Sequence, residues 1–344
     1  MKKNAWILYL GLLVSLGCPA EVVAQKSSGI PVILDADIDS DVDDVGCLAV
    51  LHALSNQGEA VILGVICTTE DIDGPACVDA INTYFSRPDI PIGINKEARP
   101  DPSQPKWLYL RSGLSKYTRT IAQEYPHDLN SYDQAECATS LYRRLLASEP
   151  QNSVVIITVG HLTNLKNLLL SDPDQYSPLS GFALIQQKVR LWVCVGGRYP
   201  QGKEPNFYRP DPESTWVVVP NWPAQVVFSG WELGNPIQTG GSWFKQNAPK
   251  ESPIYRAYEL YNQFEGRASW DQTAVLYAVR GTMNDTLWSV QWQGYNHISP
   301  DGSNEWKTNP NNKDQGYLVE KMAPAQLSQI LDELMIQGPV LSRD

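Results

Sequence analysis

From Ile30 onward, short and nearly unbroken apolar runs alternate with segments whose apolar residues recur at helical spacing. The runs at 31–34, 60–67, 154–159, 190–195 and 225–228 predict strands. They lack polar alternation, the pattern of strands covered by helices on both faces. Helical spacing predicts helices over 44–54, 75–85, 134–147, 162–170, 253–264, 272–279 and 324–335. This rhythm predicts an α/β fold, a single domain with a mostly parallel central sheet flanked by helices. Two stretches break it, 98–131, with Pro100, Pro102 and Pro105, and 294–317; both predict surface excursions. Neither has the composition of a linker and no internal repeat is visible, so residues 25–344 read as one domain.

The first 24 residues read differently. Lys2 and Lys3 precede the apolar run 5–16, and Val22-Val23-Ala24 resembles a cleavage site before Gln25, so 1–24 predicts a signal peptide and export, periplasmic or secreted. The run is too short for a lasting membrane anchor, so no integral membrane segment is expected after cleavage. Cys18 after Gly17 offers lipoprotein anchoring as a minor alternative. Charge narrows the partners: 27 Lys and Arg against 38 Asp and Glu give a net charge of −11, which repels phosphate backbones and argues against nucleic acid. Cysteines 47, 67, 77, 137 and 194 match no Cys-x-x-Cys metal spacing, and Cys47, Cys67 and Cys194 lie in apolar runs as small buried hydrophobes. The four histidines are too scattered for a zinc site.

The chemistry concentrates where the strand Val32-Ile33-Leu34 runs into Asp35, Asp37, Asp39, Asp41, Asp43 and Asp44 and then opens a helix. Ligands of parallel α/β sheets bind at such carboxyl ends of strands. One or two acids could simply meet the positive end of the helix, but six raise one another's pKa and call for a cation. A hard divalent ion with oxygen ligands answers this, and the number of carboxylates suits Ca²⁺ better than Zn²⁺. An EF-hand loop starting at Asp35 fails, with Ser40 at its sixth position and Gly46 at its twelfth. An aspartyl-nucleophile phosphatase, with Asp35 as nucleophile and Asp37 as acid, is a second reading, although that family carries Thr or Val where Asp39 stands.

Three further segments join this run in order: Val159-Gly160-His161-Leu162-Thr163-Asn164, then Gly196-Gly197 followed by Glu204-Pro205-Asn206, then Asp271 at a predicted helix start. With these four motifs, from about residue 30 to about residue 280, the chain resembles the inosine-uridine preferring nucleoside hydrolase family, calcium-dependent N-ribohydrolases. The resemblance implies a single α/β domain, a ribonucleoside substrate, bound Ca²⁺, a homodimer or homotetramer, and a place in purine nucleoside salvage. Position by position it implies Asp37, Asp44, Asp271 and the main-chain carbonyl of Val159 as metal ligands. Asp37 is also implied as the catalytic base that deprotonates a calcium-bound water, and Asp43, Glu204 and Asn206 as ribose-binding residues. The loop after Asp37 is two residues longer than the family's, which leaves Asp41 as an alternative to Asp43.

Some relatives protonate the leaving base with a His just before the last aspartate; here that residue is Trp270, expected instead to stack on the base. His161 and Tyr199 are expected near the pocket as alternative proton donors, although His161 equally suits a residue that positions the Gly160 turn. Stacking favours purines. The leading reading is therefore an exported hydrolase of the N-glycosidic bond; a catalytically weak nucleoside- or sugar-binding envelope protein is the alternative from another class.

Overall fold

The computed structural model describes residues 29–69, 71–96 and 115–340. The expected signal peptide, Cys18 and the three prolines at 100, 102 and 105 lie outside the described residues. In chain order the strands are β1 (Ile30–Ala36), β2 (Ala60–Cys67), β3 (Ile92–Ile94), β4 (Glu136–Cys137), β5 (Val154–Thr158), β6 (Val189–Val195), β7 (Gln201–Lys203), β8 (Val226–Ser229), β9 (Gln238–Thr239), β10 (Arg267–Ala268), β11 (Trp288–Ile298), β12 (Ser303–Thr308) and β13 (Gln315–Glu320). Eleven form one sheet in the order β4-β3-β2-β1-β5-β6-β8-β13-β11-β12-β7, and β9 and β10 make a separate antiparallel pair. From β4 to β13 neighbouring strands are parallel; β11, β12 and β7 add an antiparallel edge.

Helices cover both faces of the parallel part, which is why its strands are apolar throughout. Val32 and Leu34 point into a core shared with the helices Asp43–Asn56, Trp270–Arg280 and Pro324–Met335. Ile33, between them, joins a second core with Leu141, Leu165 and Trp192 on the other face. The chain builds β2, β3 and β4 on one side of β1 and returns to β5 on the other, so the carboxyl ends of β1 and β5 flank a topological switch point. Among the described residues no helix is long and apolar enough to cross a membrane. Cys47, Cys67, Cys77 and Cys194 are buried as thiols, as expected of small core residues.

Two expectations need correction. Residues 294–317 are no excursion, because they supply the end of β11, β12 and the start of β13. Their sequence is polar because antiparallel edge strands can leave one face to water, so the apolar run that marks a buried strand is missing. The helix expected over 134–147 spans Ala138–Ser148, since Glu136 and Cys137 extend the sheet as β4. Within the other excursion, Thr118–Glu124 is helical and Tyr117 is fully buried.

Candidate active site

The six clustered aspartates divide by what satisfies them. Asp35, at the end of β1, is buried and accepts hydrogen bonds from the Thr68 hydroxyl, the Tyr142 hydroxyl at 2.8 Å and the Asn164 side-chain amide at 3.2 Å. Burial outweighs these three donors and lifts its pKa to about 7. Both oxygens are engaged, which leaves no open face for the nucleophile of the phosphatase reading. Asp39, at a φ of 76°, accepts from the main-chain amides of Lys116 at 3.0 Å and Tyr117 at 3.1 Å, and so ties down the start of the helix Thr118–Glu124. Asp41 forms a forked ion pair with Arg267, whose Nε lies 2.9 Å from each carboxylate oxygen.

The remaining acids meet one another. Asp43 and Asp44 open the helix Asp43–Asn56, and Asp271 stands in the first turn of Trp270–Arg280, the helix packed beside it. One oxygen from each of Asp43, Asp44 and Asp271 lies within 4.8 Å of the others. Asp43 Oδ2 accepts from the amides of Trp270 at 3.2 Å and Asp271 at 3.4 Å, which docks the two helix starts together. All three carboxyls are buried, and burial first, then repulsion from neighbouring aspartates, Asp37 and Asp41 among them, holds their pKa values well above the usual range. Asp44 Oδ1 is buried without any hydrogen-bond partner. Such a group is destabilising unless something neutralises it.

The triplet borders a cavity of about 390 Å³ whose lining includes Asp37, Asp43, Asp271, Val159, Glu204 and Asn206. Asp37 stands outside the 4.8 Å triplet but borders the same space, and burial raises its pKa to about 6. Gly160 lets it sit there: a Cβ on that residue would lie 2.7 Å from Asp37 Cβ. The Asn206 amide donates to the carbonyls of Val159 at 2.8 Å and Val195 at 3.2 Å, joining the ends of β5 and β6. Glu204 accepts from the amides of Asn206 at 3.0 Å and Gly197 at 3.2 Å, the latter presented by a glycine at a φ of 79°. Burial still lifts the Glu204 carboxyl to about 7.

Of the residues expected at the site, Asp37, Asp43, Asp271, Val159, Glu204, Asn206 and Trp270 line the cavity, and Asp44 lies just beneath it. The grouping differs in one respect, since Asp43 joins Asp44 and Asp271 in the closest set where Asp37 was expected. The alternative Asp41 is engaged by Arg267. His161 is not among the lining residues; its Nδ1 lies 2.9 Å from the Thr163 hydroxyl, which itself donates to Asp211 at 2.8 Å. Burial lowers the His161 pKa to about 4, so the ring is neutral. Tyr199 is also withdrawn: it stacks on Tyr317 with ring centroids 4.5 Å apart, and its hydroxyl accepts from the Asn296 amide at 2.8 Å.

Trp270 also lines the cavity. Its Nε1 donates to the Trp231 carbonyl at 2.8 Å, and the Trp231 ring lies 6.4 Å away, itself covered by Arg198 at 3.9 Å. Lys116, Arg209, Trp231 and Arg267 also line the cavity and were not anticipated, because none belongs to a motif. The single hint was Arg267, a cation three residues before Trp270 in a chain with an excess of acids.

Comparison with known proteins agrees with this architecture. No curated protein matches the sequence. Among solved structures, a plant nucleoside hydrolase superposes with a TM-score of 0.63 at 15% identity, covering 89% of this chain and 99% of that one. An inosine-uridine preferring nucleoside hydrolase from Bacillus anthracis gives 0.62 at 14% identity, covering 89% and 99%. The type III effector protein XopQ, solved with adenosine diphosphate ribose, gives 0.60 at 13% identity, covering 89% and 93%. At these identities the likeness is one of fold. The family model for inosine-uridine preferring nucleoside hydrolase matches residues 32–314, from within β1 to just before β13, and the chain belongs to that family of ribonucleoside N-glycosyl hydrolases.

Proposed function

We propose that the protein hydrolyses the N-glycosidic bond of a ribonucleoside, or of a closely related ribosyl compound, to ribose and free base at a Ca²⁺ site. The observation that carries this reading is the partnerless Asp44 oxygen inside a buried triplet of carboxylates at the base of the cavity. Carboxylate and carbonyl oxygens are the donors of a hard divalent cation. Asp44 and Asp271 would hold it together with Asp37 and the Val159 carbonyl. When bound, the cation supplies Lewis acidity to water and to the ribose hydroxyls.

The protein's own groups do the rest. Asp37, which borders the cavity, accepts the proton of the attacking water. Asp43, held by two helix-start amides, and Glu204 and Asn206, held at the ends of β5 and β6, bind the ribose hydroxyls. The carboxylates of Asp43 and Glu204, and the amide dipole of Asn206, stabilise the positive ribosyl ring as the bond to the base breaks. Trp270 offers the departing base an aromatic surface, and with His161 and Tyr199 turned to other partners the base takes its proton from solvent. This favours purines, whose larger ring system overlaps more of the indole. Export rests on the sequence of residues 1–24 and is tested by determining the N-terminus of the mature protein.

The function is tested by assaying ribonucleosides, deoxyribonucleosides and nucleotides for release of base and reducing sugar, with and without chelator. Activity on ribonucleosides alone among the nucleosides, abolished by chelator and restored by Ca²⁺, is the expected result. A calorimetric titration in which metal-stripped protein binds no divalent ion would overturn the metal site; binding at this site should also raise the melting temperature.

A further inference from the structure

The chain is strongly acidic, yet three cations line the cavity of the active site: Lys116, Arg209 and Arg267. Arg267 is matched by its forked pair with Asp41. The other two have no carboxylate partner among the described residues. Lys116 is half-buried, donates its ammonium to the Ser40 carbonyl, and lies 5.2 Å from the Tyr261 ring centroid. Arg209 is exposed at the residue that ends the short helix Pro205–Tyr208, five positions after Glu204, with its guanidinium 5.6 Å from the Tyr208 ring centroid. A cation placed to balance the acids of the floor would pair with one, as Arg267 does. A neutral nucleoside would use neither Lys116 nor Arg209.

We infer that the substrate is a ribosyl compound bearing a phosphate ester, and that Arg209 and Lys116 select it. The inference rests on the hydrolase reading and deepens it. Guanidinium presents a planar fork that matches phosphate oxygens, and ammonium a compact second charge; hydrogen bonds between such groups and phosphate are about twice as strong as neutral ones. The protein's overall charge keeps polymeric phosphates away, whereas a small molecule inside the cavity meets the local cations. A cavity of about 390 Å³ is of small-molecule size.

The test compares adenosine, adenosine 5′-monophosphate and ADP-ribose as substrates of the metal-loaded full chain, with calorimetric titration of the same three compounds. The wild type should prefer at least one phosphate compound over adenosine by about tenfold in kcat/KM or in Kd. That preference should shrink with added salt, as screening weakens the contact. Arg209→Gln and Lys116→Gln should each reduce it several-fold, and Arg209→Lys, which keeps the charge and loses the fork, should fall between. A preference for the monophosphate assigns the seat to a phosphate monoester, and one for ADP-ribose to a pyrophosphate. Adenosine used and bound as well as both phosphate compounds, or a preference untouched by Arg209→Gln, would overturn the inference. If none of the three is hydrolysed while Arg209-dependent binding of a phosphate compound persists, the hydrolase reading fails and the phosphate seat stands.

Discussion

Replacing Gly160 by Ala tests whether the position of Asp37, rather than its mere presence, sets the rate. A Cβ at residue 160 would stand 2.7 Å from Asp37 Cβ, 3.0 Å from its Cγ and 3.1 Å from its main-chain nitrogen. Carbon atoms in contact sit at roughly 3.5–4.0 Å, so the overlap is about 1 Å. The backbone has little room to absorb it. Val159 donates its amide to the Asp35 carbonyl at 2.8 Å, and β1 and β5 are in register up to the pair Asp35 and Thr158. The displacement therefore falls on residue 37 itself, main chain and Cβ together, and carries its carboxylate with it. A misplacement of about 1 Å at a reacting group can lower the rate on the order of a hundredfold, or ~2.7 kcal/mol of barrier.

Crowding also lowers stability, by about 1–3 kcal/mol for an extra methyl in a packed interior, so activity has to be separated from folding. Gly64 in β2 provides the comparison, because its Cβ would meet Leu145 Cδ1, also at 2.7 Å, and nothing of the active site. Steady-state kinetics and thermal unfolding of both variants decide the matter. Gly160→Ala should lose kcat/KM about a hundredfold while Gly64→Ala loses only melting temperature. Gly160→Ala retaining activity within about threefold of wild type would refute the argument that this contact aligns the base.

Asp37→Asn keeps the size of the side chain and removes the base, so kcat should fall by roughly 10²–10⁴ with the melting temperature little changed; near wild-type turnover would assign the proton to another group. Trp270→Ala should lose kcat/KM chiefly on purine ribonucleosides, by roughly the 0.5–1.5 kcal/mol of a stacked pair. An equal loss on a nucleoside with an activated leaving group would make the bond to the Trp231 carbonyl, and thus packing, its role. His52 predicts an acid-sensitive fold remote from the site. Its Nδ1 faces the Arg87 guanidinium at 3.3 Å and its Nε2 lies 2.9 Å from Asn82 Oδ1, so the buried ring is neutral and its pKa falls from 6.5 to about 3, by burial first and then Arg87. A histidine whose pKa is depressed in the fold contributes stability that is lost as pH falls from about 6.5 to about 3, by up to ~1.4 kcal/mol for each pH step of one across that window. Denaturant titrations of His52→Gln should show a shallower acid loss over the same range, and slopes identical to wild type would sink the assignment.

The parallel core was legible because burial on both faces writes itself as contiguous apolar runs, and the inner wall of the site because its residues follow directly on strand ends. Val159-Gly160, Glu204-x-Asn206 and the Asp43-Asp44 pair are local in sequence, and their spacing survives folding. What stayed hidden joins distant positions or lies at a half-wet edge. Nothing near Asp41 announces Arg267, 226 residues on, and nothing near Asp35 announces Tyr142, 107 residues on. His161 divides for a related reason: adjacency to the Gly160 turn fixes its main chain, but the turn says nothing of the Thr163 hydroxyl that its ring meets.

The run of aspartates shows why residue type alone could not assign roles. All six belong to one strand-to-helix segment, and each would serve as a ligand on chemical grounds. Three are committed to the frame. Asp35 gathers Thr68 from beyond β2, Tyr142 from the helix Ala138–Ser148 and Asn164 from the helix after β5, and so closes the switch point from both sides of β1. Asp39 and Asp41, in the lengthened loop, fasten it to the segment 116–118 and to β10. With those acids satisfied, the charge that remains unanswered is confined to Asp43, Asp44 and Asp271, with Asp37 beside them. On the proposed reading this calls a cation to the triplet beside Asp37, while Asp35, Asp39 and Asp41 keep their partners in the frame.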